Sequence, residues 1–171
     1  MTMMTEETAK KLLTKVLSFS KADECECNLN GRSAGNIRYA RNTVSTAGEE
    51  SDIVLIVQST FGKRTGSASI NEFDDASLEK VVRRSEQLAK LAPENKEYVP
   101  VFGKQEYLDT PSYAPSTANV TPEDRADAAG ASIMPSKKNK MVSSGFLEEE
   151  VTFAAIMNNN CLLYTSDAAD D

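Results

Sequence analysis

The sequence predicts an α+β protein: an antiparallel sheet of about four strands with helices on one face, followed by a proline-rich connector, a helix and the first hairpin of a second, truncated sheet. Three observations carry this. Apolar residues recur at helical spacing over 9–16 and again over 78–91. Between those stretches lie four short segments with the period-two or fully apolar pattern of strands. Five of the six prolines (Pro93, Pro100, Pro111, Pro115 and Pro122) then fall together, which no long helix or central strand tolerates.

Thr5 followed by Glu6 and Glu7 opens the first helix, whose inward stripe is Ala9, Leu12, Leu13 and Val16. Glu24 to Asn30 alternates polar and apolar residues as a half-buried strand, and Asn30-Gly31 signals a turn into a loop reaching Gly35. Asn36 to Asn42 returns antiparallel with Ile37 and Tyr39 inward, and a second polar loop falls at Gly48-Glu49-Glu50. The run Ile53 to Val57 is apolar on both faces, so it predicts an inner strand covered from both sides. Helices over one face leave the other face of that strand needing a cover. Thr65 to Asn71 forms the fourth strand after a turn at Phe61 to Arg64.

Asp74 or Asp75 caps the next helix, with Leu78, Val81, Val82, Leu88 and Leu91 inward, Lys80, Arg83, Arg84 and Glu86 outward, and Pro93 just past its end. Thr121-Pro122-Glu123-Asp124 sets a cap, a proline at the first helical position and two acids in order. That helix has Ala126, Ala129 and Ile133 inward and is expected to stop before Pro135. Ser144 to Glu148 and Val151 to Met157 read as a hairpin that begins a second sheet. The domain division is therefore 1–93, an α+β domain; 94–121, the connector; 122–160, a helix and the start of a truncated sheet; and 161–171, a tail of different origin.

Residues 161–171, from Cys161 to Asp171, resemble the translation of a transposase adapter used in DNA library preparation, so they are set aside from fold reasoning and the natural sequence is expected to continue differently after Asn160. The formal charge is −7, but the tail contributes Asp167, Asp170 and Asp171 and no base, leaving 23 acids against 19 bases. A mildly acidic chain lacks the basic footprint of a nucleic-acid binder. No apolar run reaches the length of a membrane span, and Met1 to Glu7 has neither the basic nor the apolar region of a secretory signal, so a cytoplasmic protein is expected.

Candidate chemistry is sparse. The chain has no histidine, which excludes a serine or cysteine protease triad and an HExxH-type zinc site from these residues. Cys25 and Cys27, two apart on a strand, share one face and read as buried reduced thiols, because zinc needs further ligands that are not there. Gly62-Lys63 lacks the earlier glycine and following hydroxyl of a phosphate loop, and is a hairpin turn. Arg38 and Arg41 around Tyr39 fall on opposite strand faces and are solvated. Glu148-Glu149-Glu150 diverge along the chain and read as a turn rather than a cation site, and Glu72, Asp74 and Asp75 read as helix capping. No catalytic, cofactor-binding or metal-binding residue is expected in this chain.

Gly35 to Asn42, Val54 to Val57, Phe61 to Gly66 and Ser69 to Leu78, in that order, resemble the N-terminal domain of the TldD/PmbA metallopeptidase family; Ser144 to Leu147 and Val151 to Asn158 resemble the start of its next sheet. The resemblance implies a cytoplasmic, two-subunit assembly about three times this length that degrades unfolded peptides inside a cavity. It implies zinc held by histidines and a cysteine in the parent or partner subunit, with an HExxxH glutamate as general base. None of those residues lies in this chain. Some members lack the metal ligands, and the stretch from Leu147 to Asn160 resembles that PmbA-like branch. The alternative is therefore a metal-free partner subunit or a regulatory interaction module, the latter echoing the family's older label of DNA gyrase modulator. An unpaired edge on the interrupted sheet also predicts association or poor solubility.

Overall fold

The computed structural model describes residues 4–108 and 112–167. Its elements are α1 (Glu6–Phe19), β1 (Glu24–Ala40), β2 (Thr43–Phe61), β3 (Arg64–Ile70), α2 (Asp75–Leu91), α3 (Pro115–Ala118), α4 (Pro122–Lys138), β4 (Gly145–Asn158) and β5 (Leu163–Asp167). One five-stranded sheet runs β3-β2-β1-β4-β5 with every neighbouring pair antiparallel. The α+β class and the antiparallel sheet expected from the sequence are both present. No helix among the described residues is long and apolar enough to cross a membrane.

The strands are longer and fewer than the sequence suggests. Asn30-Gly31 and Gly35 do not turn; they lie inside β1, which runs 17 residues, and Gly48-Glu49-Glu50 lie inside β2, which runs 19. The reversal comes at Arg41 and Asn42, both in the left-handed region with φ of 51° and 60°. Two such residues make the tight connection whose twist matches that of a strand pair. The physical reason is pairing on both sides. From Glu26 to Tyr39, β1 is bonded to β2 along one edge and to β4 along the other, and two ladders outweigh a local turn preference. Similarly, 144–157 is not a hairpin opening a second sheet: Gly145–Asn158 is one strand that joins the first sheet beside β1.

The helices follow their caps. Thr5 accepts a hydrogen bond from the Thr8 amide, Asp74 from the Ala76 and Ser77 amides, and Thr121 and Asp124 form a reciprocal capping box. The Asp74 carboxyl is held below the usual carboxylate range, chiefly by Ser77, and that of Asp124 by the Thr121 backbone. Four details differ from expectation. Leu88 and Leu91 are exposed, at 38% and 83%, and the inward stripe of α2 continues instead through Ser85, Glu86 and Ala89. Glu86 is only 4% exposed because Arg83 and the Lys21 amide both bond its carboxylate. Helix α4 passes through Pro135 to Lys138, and the inward residue of its first turn is Arg125, not Ala126. Its last turn is open to solvent, and the Asn139 side chain and backbone amide both bond the Pro135 carbonyl.

The main core lies between one face of the sheet and helices α1 and α2. Leu13, Val16, Cys25, Cys27, Leu29, Leu55, Val57, Leu78, Val82 and Phe153 meet there, almost without exposure. Each fully buried leucine or valine contributes about 1.5–3 kcal/mol. A smaller cluster of Ile37, Ala129 and Ile133, flanked by Tyr39 and Leu147, seats α4 on the far half of the same face.

The opposite face carries the connector. Tyr98 and the Val101 amide bond Glu24, the Asn158 side chain bonds the Phe102 carbonyl, and Tyr107 packs on Tyr164 with ring centroids 4.6 Å apart. The connector thus lies against β1, β4 and β5 on the face opposite the helices. Leu162 is buried, and β5 extends the sheet through backbone pairing, which any sequence can supply; the pairing therefore does not bear on the origin of residues 161–167.

Candidate functional site

Two adjacent residues of the central strand organise the polar half of the sheet. Gly35 stands in register between Glu49 of β2 and Glu149 of β4, and Ala34 between Glu50 and Glu150. Successive strand residues face opposite sides, so the two acidic rungs point apart. Each receives an arginine.

On the helix-covered face, Arg125 of α4 lowers its guanidinium between the two carboxylates. Its Nη2 donates to Glu49 at 2.6 Å and its Nη1 to Glu149. Arg125 is 3% exposed, and its guanidinium is held above its ordinary range, first by the Glu49 hydrogen bond. The absence of a side chain at position 35 is what admits the pair: a Cβ there would overlap Arg125 Nη1 and Glu149 Oε1. The second oxygen of Glu149 is buried without a hydrogen-bond partner among the described residues. On the opposite face Arg32 reaches Glu150 through Nε at 2.8 Å, Glu148 through Nη2 at 3.2 Å, and Glu50. These groups are half-exposed, and the Arg32 guanidinium is held above its ordinary range chiefly by Glu150.

Among the described residues, the sheet is open beside Arg32. A groove of about 760 Å³ crosses this face, with Val54 and Ala154 on its floor and Asn30, Arg32, Asp52 and Thr152 around it. An apolar floor with a few polar groups around it is the general make-up of a ligand-binding cleft.

The residues singled out in the sequence come to rest as follows. Cys25 and Cys27 share the core face, reduced and fully buried. The Cys25 thiol is lowered to about 7, chiefly by its hydrogen bond with Cys27, whose own thiol is pushed up by the same bond and by burial. Neither meets solvent, so neither is a nucleophile in the folded state. A thiol reagent is expected to titrate only exposed Cys161 in the native chain and all three cysteines after denaturation; rapid modification of a second thiol would contradict the packing.

Gly62 and Lys63 form the β2–β3 turn, with Gly62 at φ 60°. Arg38 lies over the Phe146 ring at 5.6 Å, and Arg41 sits in the β1–β2 turn. Glu148, Glu149 and Glu150 diverge as anticipated, yet they lie in a strand rather than a turn. Among the described residues, no group of three or more potential ligands converges on one point as a metal site requires. Arg125 and Glu49 escaped the sequence reading. The available signal was the repeat of a Glu-Glu pair at 49–50 and 149–150, which only a known register makes meaningful.

Residues 25–89 match the family described as PmbA/TldA metallopeptidase domain 1. This segment is similar to the first domain of the PmbA/TldD family. The matched span runs from Cys25 in β1 to Ala89 in α2 and so contains the first three strands and most of the core. A comparison with curated protein sequences gives no match.

Solved structures agree on the PmbA/TldD fold. TldE from Thermococcus kodakarensis superposes with a TM-score of 0.81 at 17% identity, over 93% of this chain and 36% of that one. A protein of Bacteroides thetaiotaomicron described as a candidate modulator of DNA gyrase gives 0.82 at 16% identity, over 96% and 39%. A protein of Thermotoga maritima with the same description gives 0.79 at 16%, over 94% and 37%. The chain thus spans less than two fifths of the length of these structures.

Proposed function

We propose that this chain is the frame and peptide-guiding domain of a PmbA/TldD-type zinc metallopeptidase that degrades unfolded peptides in the cytoplasm with a second subunit of the same family. The match of residues 25–89 to a metallopeptidase domain carries the reading. The open groove beside Arg32 supports it, since Asn30, Asp52 and Thr152 offer side-chain donors and acceptors to an extended backbone.

The residues of this chain do not fit a zinc site. There is no histidine, Cys25 and Cys27 are buried in the apolar core, and Glu148 and Glu150 are engaged by Arg32. No step of hydrolysis is therefore assigned to them, and this reading gives the chemistry to the parent protein or its partner subunit. The purified chain is expected to leave unfolded peptides intact with or without added zinc. Zinc-dependent hydrolysis by it would overturn this division of labour.

The likeness to the Thermococcus TldE supports a second reading, in which the parent is a metal-free partner subunit. The full sequence of the parent gene separates the two. An HExxxH helix with a later cysteine identifies the zinc-bearing subunit, and their absence identifies the partner.

A further inference from the structure

The sheet face away from the helices changes character at Arg32. In register, Arg32 lies between Asp52 of β2 and Thr152 of β4. Its guanidinium nevertheless leaves Asp52 alone and leans along the sheet to Glu50, Glu148 and Glu150, which stand level with Ala34 and Asn36. Asp52 is exposed, and its carboxylate has neither a hydrogen bond nor an ion pair among the described residues. In the other direction lies the floor of the groove. Val54 is two residues along β2 from Asp52, on the same face and about 7 Å away, and Ala154 shares its level across Asn30. Both are half-buried. Four carboxylates thus share this part of the face with one guanidinium, and the carboxylate left over is the one beside the apolar floor.

We propose that the groove receives a lysine or arginine side chain of an extended peptide, its aliphatic stem on Val54 and Ala154 and its cationic head at Asp52. This selectivity rests on the peptide-guiding role and adds which segments are held. Lysine and arginine lay their stems along apolar surface and keep the charged head in water, which is the division between floor and rim found here. An acidic side chain would meet Asp52 with no free base nearby, because Arg32 is already enclosed by three carboxylates. An aliphatic side chain fits the floor but leaves the Asp52 charge uncompensated. Since Asp52 is exposed, the pair is a solvated one and the preference is a modest factor.

The chain has no tryptophan, so a peptide carrying one reports its own binding to the purified chain by fluorescence. Four acetylated and amidated nonapeptides of alanine, serine, threonine and one tryptophan differ only at the central residue, which is Lys, Arg, norleucine or Glu. The Lys and Arg peptides are expected to bind about three- to fivefold more tightly than the norleucine peptide, the span of a solvated ion pair, and the Glu peptide more weakly than all. Asp52→Asn preserves the size of an exposed, unbonded side chain and is expected to bring the Lys, Arg and norleucine peptides to one affinity. Glu79→Gln makes the same change of charge on the exposed side of α2 and is expected to leave the preference intact. Equal binding of the Lys and norleucine peptides overturns the proposal, as does a preference that survives Asp52→Asn or is lost equally in Glu79→Gln; peptide guiding then still stands. If none of the four peptides binds, peptide guiding itself fails and the selectivity falls with it.

Discussion

Replacing Arg125 by Met is expected to lower the unfolding free energy by about 3–5 kcal/mol, the range for removing one partner of a buried ion pair. Met roughly preserves the length and apolar stem of the side chain, so the loss isolates the charge. Without the guanidinium, Glu49 and Glu149 face each other across Gly35 with nothing between them. The Glu49 side chain is 63% exposed and turns to water; that of Glu149 is 14% exposed and cannot. One Glu149 oxygen already lacks a partner, and the variant strands the other. Adding Glu149→Leu to Arg125→Met removes the stranded charge and is expected to recover most of the loss. Urea unfolding followed by circular dichroism measures both. A loss below about 1 kcal/mol for the single variant would mean that the carboxylates relax to solvent like a surface pair. Arg32→Met is the internal contrast: its three carboxylates are exposed enough to rehydrate, and a much smaller loss is expected.

The same cluster shows why the sequence was only partly legible. Helix starts were readable because caps are local: Thr5, Asp74 and Thr121 each satisfy amides two or three residues away. The α+β class was readable because helical and strand periods differ. The course of β1 was not, since Asn30-Gly31 is a turn signal only while the chain on either side is free to fold back. Its full length pairs with β2 and nearly all of it with β4, whose sequence lies more than a hundred residues away. That distant strand also turns Glu148 to Glu150 from an apparent solvated loop into rungs of a ladder.

Buried polar residues on the helices were hidden for a related reason. Arg125 and Glu86 occupy inward positions that periodicity assigns to apolar side chains, and each is inward because of partners contributed by other elements or loops. Sequence patterns report what water excludes. They do not report which charge meets which, and the arrangement around Gly35 consists of such meetings.

Gly66→Val carries the second large effect, expected at about 3 kcal/mol and a fall in melting temperature of about 10 °C. Gly66 lies on β3 opposite Ser59, directly under α2. A Cβ there would overlap the Ala89 amide nitrogen and stand 2.5 Å from the Ser85 carbonyl oxygen. A side chain in the way can change rotamer, but these are helix backbone atoms, so α2 itself has to retreat. Retreat breaks the buried 2.7 Å hydrogen bond between the Ser59 and Ser85 hydroxyls and loosens Leu78 and Val82 from the core. Gly48→Ala, at a position with open space, provides the comparison and is expected to leave the melting temperature nearly unchanged. If both variants melt alike, α2 does not rest on β3 as closely as Gly66 requires. The close approach lies within the segment that matches the PmbA/TldA domain, so the variant tests the packing of α2 on β3 in that segment.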